Sequence, residues 1–197
     1  MQNHKTAGVS LSVLLLMAAG ILLSGLPANA QEKTEYAGWG VNLEGSVAKS
    51  GKIYITVERW STPEERAALV TAFKNGGQDE MLKLLKQMPK AGFLNMPDTM
   101  AYDLRYAYKF PAENGGTTVI LGTDRRITSP EVWDQNRALD YPFELIELRL
   151  NAKGEGDGTL SWATKMFVNK DGNVVLESYG TDPIMLTKIT TKVTKAK

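Results

Sequence analysis

The chain has 197 residues, with 23 basic and 22 acidic side chains, one histidine and no cysteine. Without cysteine there can be no disulfide, no thiol redox or Cys-His chemistry and no acylated lipoprotein anchor. The near balance of charge gives no electrostatic reason to expect nucleic acid or an anionic membrane surface as a partner.

The first thirty residues have the three parts of a secretory signal. His4 and Lys5 form a basic start, Val9 to Leu23 an apolar core, and Ala28-Asn29-Ala30 a small-x-small cleavage site. The pattern predicts a signal peptide over 1–30, a mature chain from Gln31, and an exported protein, periplasmic or extracellular. The competing reading, an uncleaved anchor, needs a longer apolar run for a bilayer span. The segment carries one lysine, no acid and the only histidine, so residues 31–197 hold 22 basic and 22 acidic groups and no histidine. Ser-His-Asp catalysis and the usual zinc sites are thereby excluded, and any enzyme would have to use carboxylates, lysine, tyrosine or serine. No cofactor is called for. No further long apolar run follows, so no integral membrane segment is expected after signal cleavage. The remaining 167 residues suffice for one well-packed domain.

Along that domain, Trp39, Val41, Leu43 and Val47 share one parity, Lys49-Ser50-Gly51-Lys52 reads as a turn, and Ile53 to Trp60 is a second strand. The period then changes. Ser61-Thr62-Pro63-Glu64-Glu65 combines an N-cap, an early proline and a glutamate placed for a capping box. Leu69, Val70 and Phe73 form an apolar helical stripe that Asn75-Gly76-Gly77 stops; a second helix from about Asp79 carries Met81, Leu84, Leu85 and Met88 and is ended by Pro89. This predicts a helical hairpin inserted after strand two. Gly92 to Met100 reads as an irregular apolar link.

Tyr102 to Phe110 shows the clearest alternation, with Tyr102, Leu104, Tyr106, Tyr108 and Phe110 on one face; Asn114-Gly115-Gly116 then turns the chain into Thr117–Thr123. Ser129-Pro130-Glu131 could start one helical turn. Tyr141 to Leu150 and Thr159 to Val168 flank a glycine-rich turn, Asp171-Gly172 leads into Val174-Val175-Leu176, and Ile184 to Val193 is the last strand. Burying Phe143, Leu145, Ile146, Leu148 and Leu150 is worth on the order of 10 kcal/mol, which makes their strand central. On it, Ile146, Leu148 and Leu150 form one apolar face, while Phe143 and Leu145 give way to Glu147 and Arg149 on the other. The sum is a single α+β domain over 31–197, mainly an antiparallel sheet of about eight strands, barrel-like or strongly curved.

The strings Val57-Glu58-Arg59-Trp60-Ser61, Tyr102-Asp103-Leu104-Arg105-Tyr106-Ala107, Thr123-Asp124-Arg125 and Tyr141-Pro142-Phe143 through Arg149-Leu150 resemble an uncharacterised family of exported bacterial proteins. The resemblance covers most of the mature chain and implies export and one compact domain. It carries no functional residues.

The aromatic face of Tyr102, Tyr106, Tyr108 and Phe110, together with Trp162, is the candidate lining of a ligand cavity; the competing reading is plain core. Arg125 and Arg126, beside Asp124, are candidates for clamping an anionic ligand; the competing reading is a solvated strand end or structural ion pair. Met81, Met88, Met96 and Met100 suggest soft-metal ligands or, more simply, adaptable apolar filler. Gly154-Glu155-Gly156-Asp157-Gly158 fails the calcium-loop order and reads as a hairpin turn. The functional expectation is an exported, non-catalytic binding module for an apolar or amphiphilic small molecule or an envelope protein. The alternatives are a carboxylate-based glycoside hydrolase or carbohydrate-binding protein, with Trp39, Trp60, Trp133 or Trp162 as stacking platforms, and a structural or interaction module.

Overall fold

The computed structural model describes residues 32–42, 49–97, 100–112, 115–125, 143–162, 165–168, 174–177 and 184–194. The expected signal peptide, Arg126, the Ser129-Pro130-Glu131 turn, Trp133 and the Asp171-Gly172 turn lie outside them, and of Trp162 only the backbone is described.

Among the described residues are ten strands and one helix: β1 (Lys33–Asn42), β2 (Lys49–Val57), α1 (Pro63–Gln87), β3 (Gly92–Asn95), β4 (Tyr102–Pro111), β5 (Thr117–Thr123), β6 (Glu144–Leu150), β7 (Glu155–Trp162), β8 (Lys165–Val168), β9 (Val174–Glu177) and β10 (Ile184–Thr194). Strands β1 to β7 and then β10 pair each with the next, all antiparallel, and β10 pairs back with β1 to close a barrel. Closure leaves the barrel itself, among the described residues, without a terminal edge strand. The helix lies in the β2–β3 connection. The pair β8-β9 forms a separate two-stranded sheet within the β7–β10 connection.

The interior is filled. Ile53, Ile55, Leu104, Leu121, Ile146, Leu148 and Leu186 are at most 1% exposed, and each such side chain is worth roughly 1.5–3 kcal/mol of burial. Lys33, Glu35, Lys52, Arg149 and Lys192 stand on the outside, wholly or partly exposed. A mainly apolar inside, with Glu144 its buried carboxylate among the described residues, and a charged outside is the reverse of a membrane-spanning barrel. Among the described residues no helix is long and apolar enough to cross a membrane.

Three local expectations change. Lys49-Ser50-Gly51-Lys52, read as a turn, is the start of β2, because it pairs with Trp39 to Asn42 of β1. Residues Gly92–Asn95 form a true strand, β3, because the barrel needs a partner for both β2 and β4 there. The run from Thr159 to Val168 divides: its first part ends β7 in the barrel, and Lys165–Val168 leaves to pair with β9. The glycine-rich stretch is likewise shared. Gly154, at φ +76°, closes the turn, whereas Gly156 and Gly158 lie inside β7, where an added Cβ would collide with the carbonyl oxygens of Arg149 and Glu147.

In place of two separate helices in a hairpin there is one helix. Thr62 caps it, accepting from the Glu65 amide, and the Glu65 carboxylate accepts from the Thr62 amide. Non-helical backbone is limited to Gly76 and Gly77, the latter at φ +68° and ψ −156°, a region open to glycine almost alone. A straight helix of 25 residues would span about 37 Å. Yet Arg59 Nη1 donates to Glu65 Oε2 in the first turn at 2.9 Å, and Arg59 Nη2 donates to the Pro89 carbonyl beyond the last turn at 2.8 Å. The kink at Gly77 therefore brings the two ends of α1 together. Gly77→Ala is expected to lower stability by about 1–3 kcal/mol through backbone strain alone, since nothing lies within 4 Å of the added methyl; a denaturant melt measures it.

Candidate functional site

The site lies outside the barrel, under α1, and it exists because β4 changes parity. Leu104 pairs with Thr123 and Tyr106 with Gly122, so Arg105 is an extra residue, a β-bulge. Before the bulge Tyr102 and Leu104 point into the barrel, 6% and 0% exposed; after it Ala107 points in, and Tyr106, Tyr108 and Phe110 point out. The single aromatic face expected from the sequence is thus split between two sides of the sheet.

Three rows of outward-facing residues follow from the register of β4 to β7. They are Tyr106, Gly122, Leu145, Ser161; Tyr108, Ile120, Glu147, Thr159; and Phe110, Thr118, Arg149, Asp157. The first two rows floor a cleft of about 790 Å³, and Arg66, Leu69, Val70, Met81 and Leu85 of α1 form its wall. Phe143 is fully buried at its base, and Phe110 stands 43% exposed at its rim. Gly122 makes room for it. A Cβ there would lie 3.4 Å from Tyr106 Cβ and 3.6 Å from Leu145 Cδ2, so any larger side chain would grow into the cleft.

Polar groups in the cleft are few. The rings of Tyr106 and Tyr108 stack with centroids 6.3 Å apart, and the Arg66 guanidinium sits 5.8 Å from the centre of Tyr108. Burial pushes the Tyr106 phenol up to about 12, with Arg66 pulling weakly the other way. Glu147, the one carboxylate among the described lining residues, accepts from Arg149 Nε at 2.6 Å. Its half of β6 faces outward, as a charged strand edge should, and still lies in the site.

The other candidates fall elsewhere. Tyr102 is core, with Arg125 stacked 4.9 Å above its ring and donating to the Ala101 carbonyl at 2.9 Å. Asp124 pairs with Arg105 at 2.7 Å, and Arg105 also reaches Asp103 and the Met88 carbonyl. This cluster braces the end of α1, and Arg125 lies outside the cleft. The four methionines do not converge: Met81 and Met88 pack beneath α1, Met96 is in the barrel, and Met100 is 80% exposed. Among the described residues no group of histidine, cysteine or carboxylate side chains is placed to hold a metal. Trp39 is 40% exposed on β1, and Trp60 packs against the barrel core under Lys109, so neither is in the cleft.

Sequence reasoning did not single out Arg66, Gly122, Thr159 or Ser161 as site residues. A glycine inside an apolar strand is the one signal that pointed there, as a place where something else comes close. No protein-family model, no curated protein and no solved structure matches this chain.

The Tyr106 phenol must stay neutral in the folded cleft. Its contribution to stability is full below pH 10 and is lost as pH climbs through about 12. Denaturant midpoints measured across that alkaline range should fall less steeply for Tyr106→Phe than for the natural chain. At the acid end the sign reverses: the Arg59 guanidinium holds Glu65 below its ordinary value of 4.5, so that stability is present above pH 4.5 and is lost as pH falls further.

Proposed function

We propose that this protein is a non-catalytic binding module, acting outside the cytoplasm, whose external cleft holds an apolar or amphiphilic small molecule. The observation that carries the reading is the cleft itself. Its volume of about 790 Å³ falls in the range of roughly 300–1,000 Å³ typical of small-molecule sites. It is mainly aromatic and aliphatic, with a few polar groups at its edges, which is the composition such sites need. The two arms of α1 act on this reading as a helical hairpin, closed at Gly76-Gly77, that covers the ligand.

Binding is favoured over turnover by what the cleft offers as chemistry. Its described carboxylate, Glu147, is paired with Arg149, and no second one lines the cleft among the described residues. Acid–base hydrolysis of a glycosidic bond needs two. Tyr106, held neutral by burial, is suited to donate a hydrogen bond and ill suited to act as a base.

Native mass spectrometry of protein purified from its own envelope is the test. The expected result is a species heavier than the polypeptide by one small molecule, and its absence from Gly122→Val, in which the new side chain fills the floor. If the natural protein carries no extra mass and takes up no more of an added anilinonaphthalene dye than Gly122→Val does, the cleft is not a ligand site.

A further inference from the structure

The charges around the cleft are not balanced at every point, and the imbalance selects a ligand. Of the five arginines in the described residues, four are engaged. Arg59 holds Glu65 and the Pro89 and Lys90 carbonyls; Arg105 holds Asp124; Arg125 holds the Ala101 carbonyl; Arg149 holds Glu147. Arg66 differs. Among the described residues its guanidinium has the face of Tyr108 and no carboxylate or carbonyl. Glu65, its neighbour in sequence, is taken by Arg59 and by the Thr62 amide. Glu147 is two strands from Tyr108 along the same row, about 10 Å away, and is occupied by Arg149. The Arg66 end of the cleft is therefore positive, beside an apolar trough.

We infer that the ligand is a single-chain amphiphile with a carboxylate head, the head seated on Arg66 and the tail lying across Ile120 and Leu145 beneath Leu69 and Met81. This rests on the reading of the cleft as a small-molecule site. One guanidinium balances one negative charge, and its planar fork matches the two oxygens of a carboxylate. A doubly charged phosphate would be left half-neutralised. The floor is two rows deep, about 7 Å along the strands, which suits one acyl chain. Across β4 to β7 it runs three strand spacings, about 14 Å, so a chain of medium length fits. Arg66 is exposed at the rim of the cleft, so the head of the ligand sits at the water boundary and the tail in the trough, and the ion pair directs the ligand more than it tightens it.

The test uses three probes of equal tail length, dodecanoate, dodecanol and dodecylammonium, titrated calorimetrically into the purified protein and into Arg66→Gln, Arg66→Glu and Gly122→Val. Arg66 is an exposed residue of a helix, so its replacement should leave the fold intact. Dodecanoate should bind about two- to fivefold tighter than dodecanol, as expected for an ion pair to an exposed guanidinium. Arg66→Gln should erase that preference, Arg66→Glu should transfer it to dodecylammonium, and Gly122→Val should remove binding of all three. Equal affinity for dodecanoate and dodecanol, unchanged in Arg66→Gln and still abolished by Gly122→Val, overturns the carboxylate assignment and leaves the cleft as a ligand site. If none of the probes binds, or if binding survives Gly122→Val, both the assignment and the site fall.

Discussion

One extra residue in β4 governs the layout of this protein. Side chains alternate along a strand with a period of two, so a single insertion sends everything after it to the opposite face. At Arg105 that insertion releases Tyr106, Tyr108 and Phe110 from the barrel interior and hands them to the helix side. Ala107 takes the vacated inward position, fully buried. The bulge is held by the residue that makes it: Arg105 is tied to Asp124 at the end of β5 and to the Met88 carbonyl at the end of α1. The same side chain that reverses the strand thus anchors the element that covers the reversed face.

The cover depends on a second arginine. Arg59, just past β2, reaches the first turn of α1 through Glu65 and the chain beyond its last turn through Pro89 and Lys90. The segment around it lies alongside β4: Ser61 exchanges hydrogen bonds with Ala107, and the Glu58 and Arg59 amides donate to Ala91. Trp60 is thereby pressed against the barrel core. The helix is thus fixed at both ends near the floor of the barrel wall, while its kink stands away from those anchors. Leu69, Met81, Leu82 and Leu85, from both sides of the kink, share one cluster with Phe143.

A filled barrel and an external cleft are two consequences of one division of side chains. The inward set is mainly aliphatic, with Tyr36, Tyr102, Thr123 and Glu144 among it, and dense enough to leave the barrel interior packed. The outward set on β4 to β7 mixes large rings with a glycine, so α1 rests on Tyr106, Leu145 and Phe143 and bridges over Gly122. Close packing is the default for apolar surfaces inside proteins; a cleft of this size beneath a helix arises where the facing surfaces differ in relief.

Much of this was written locally. Alternation and turn residues marked most barrel strands, with Thr117–Thr123 placed to the residue, although the turn read at Lys49–Lys52 is strand and β3 read as a link; the helix cap and the Gly76-Gly77 break were legible because caps and glycine kinks are set by neighbours in sequence. The aromatic face of β4 was legible too, but its integrity was not. A bulge does not show in the periodicity of the strand that carries it; it is defined by the partner strand, and here by the pull of Asp124 and Met88 on Arg105. Nor could the sequence say which side of β6 its charged half would take. Glu147 and Arg149 face outward as their charge demands, yet Phe143 and Leu145 on the same side are covered, because α1, brought over from the far side of β3, lies on them. Alternation and composition by themselves determined an antiparallel sheet with an apolar interior. Where the cleft lies, which tyrosines line it and which arginine among the described residues has a ring and no carboxylate beside it were decided by pairing register and by the docking of a distant helix, interactions between residues far apart in the chain.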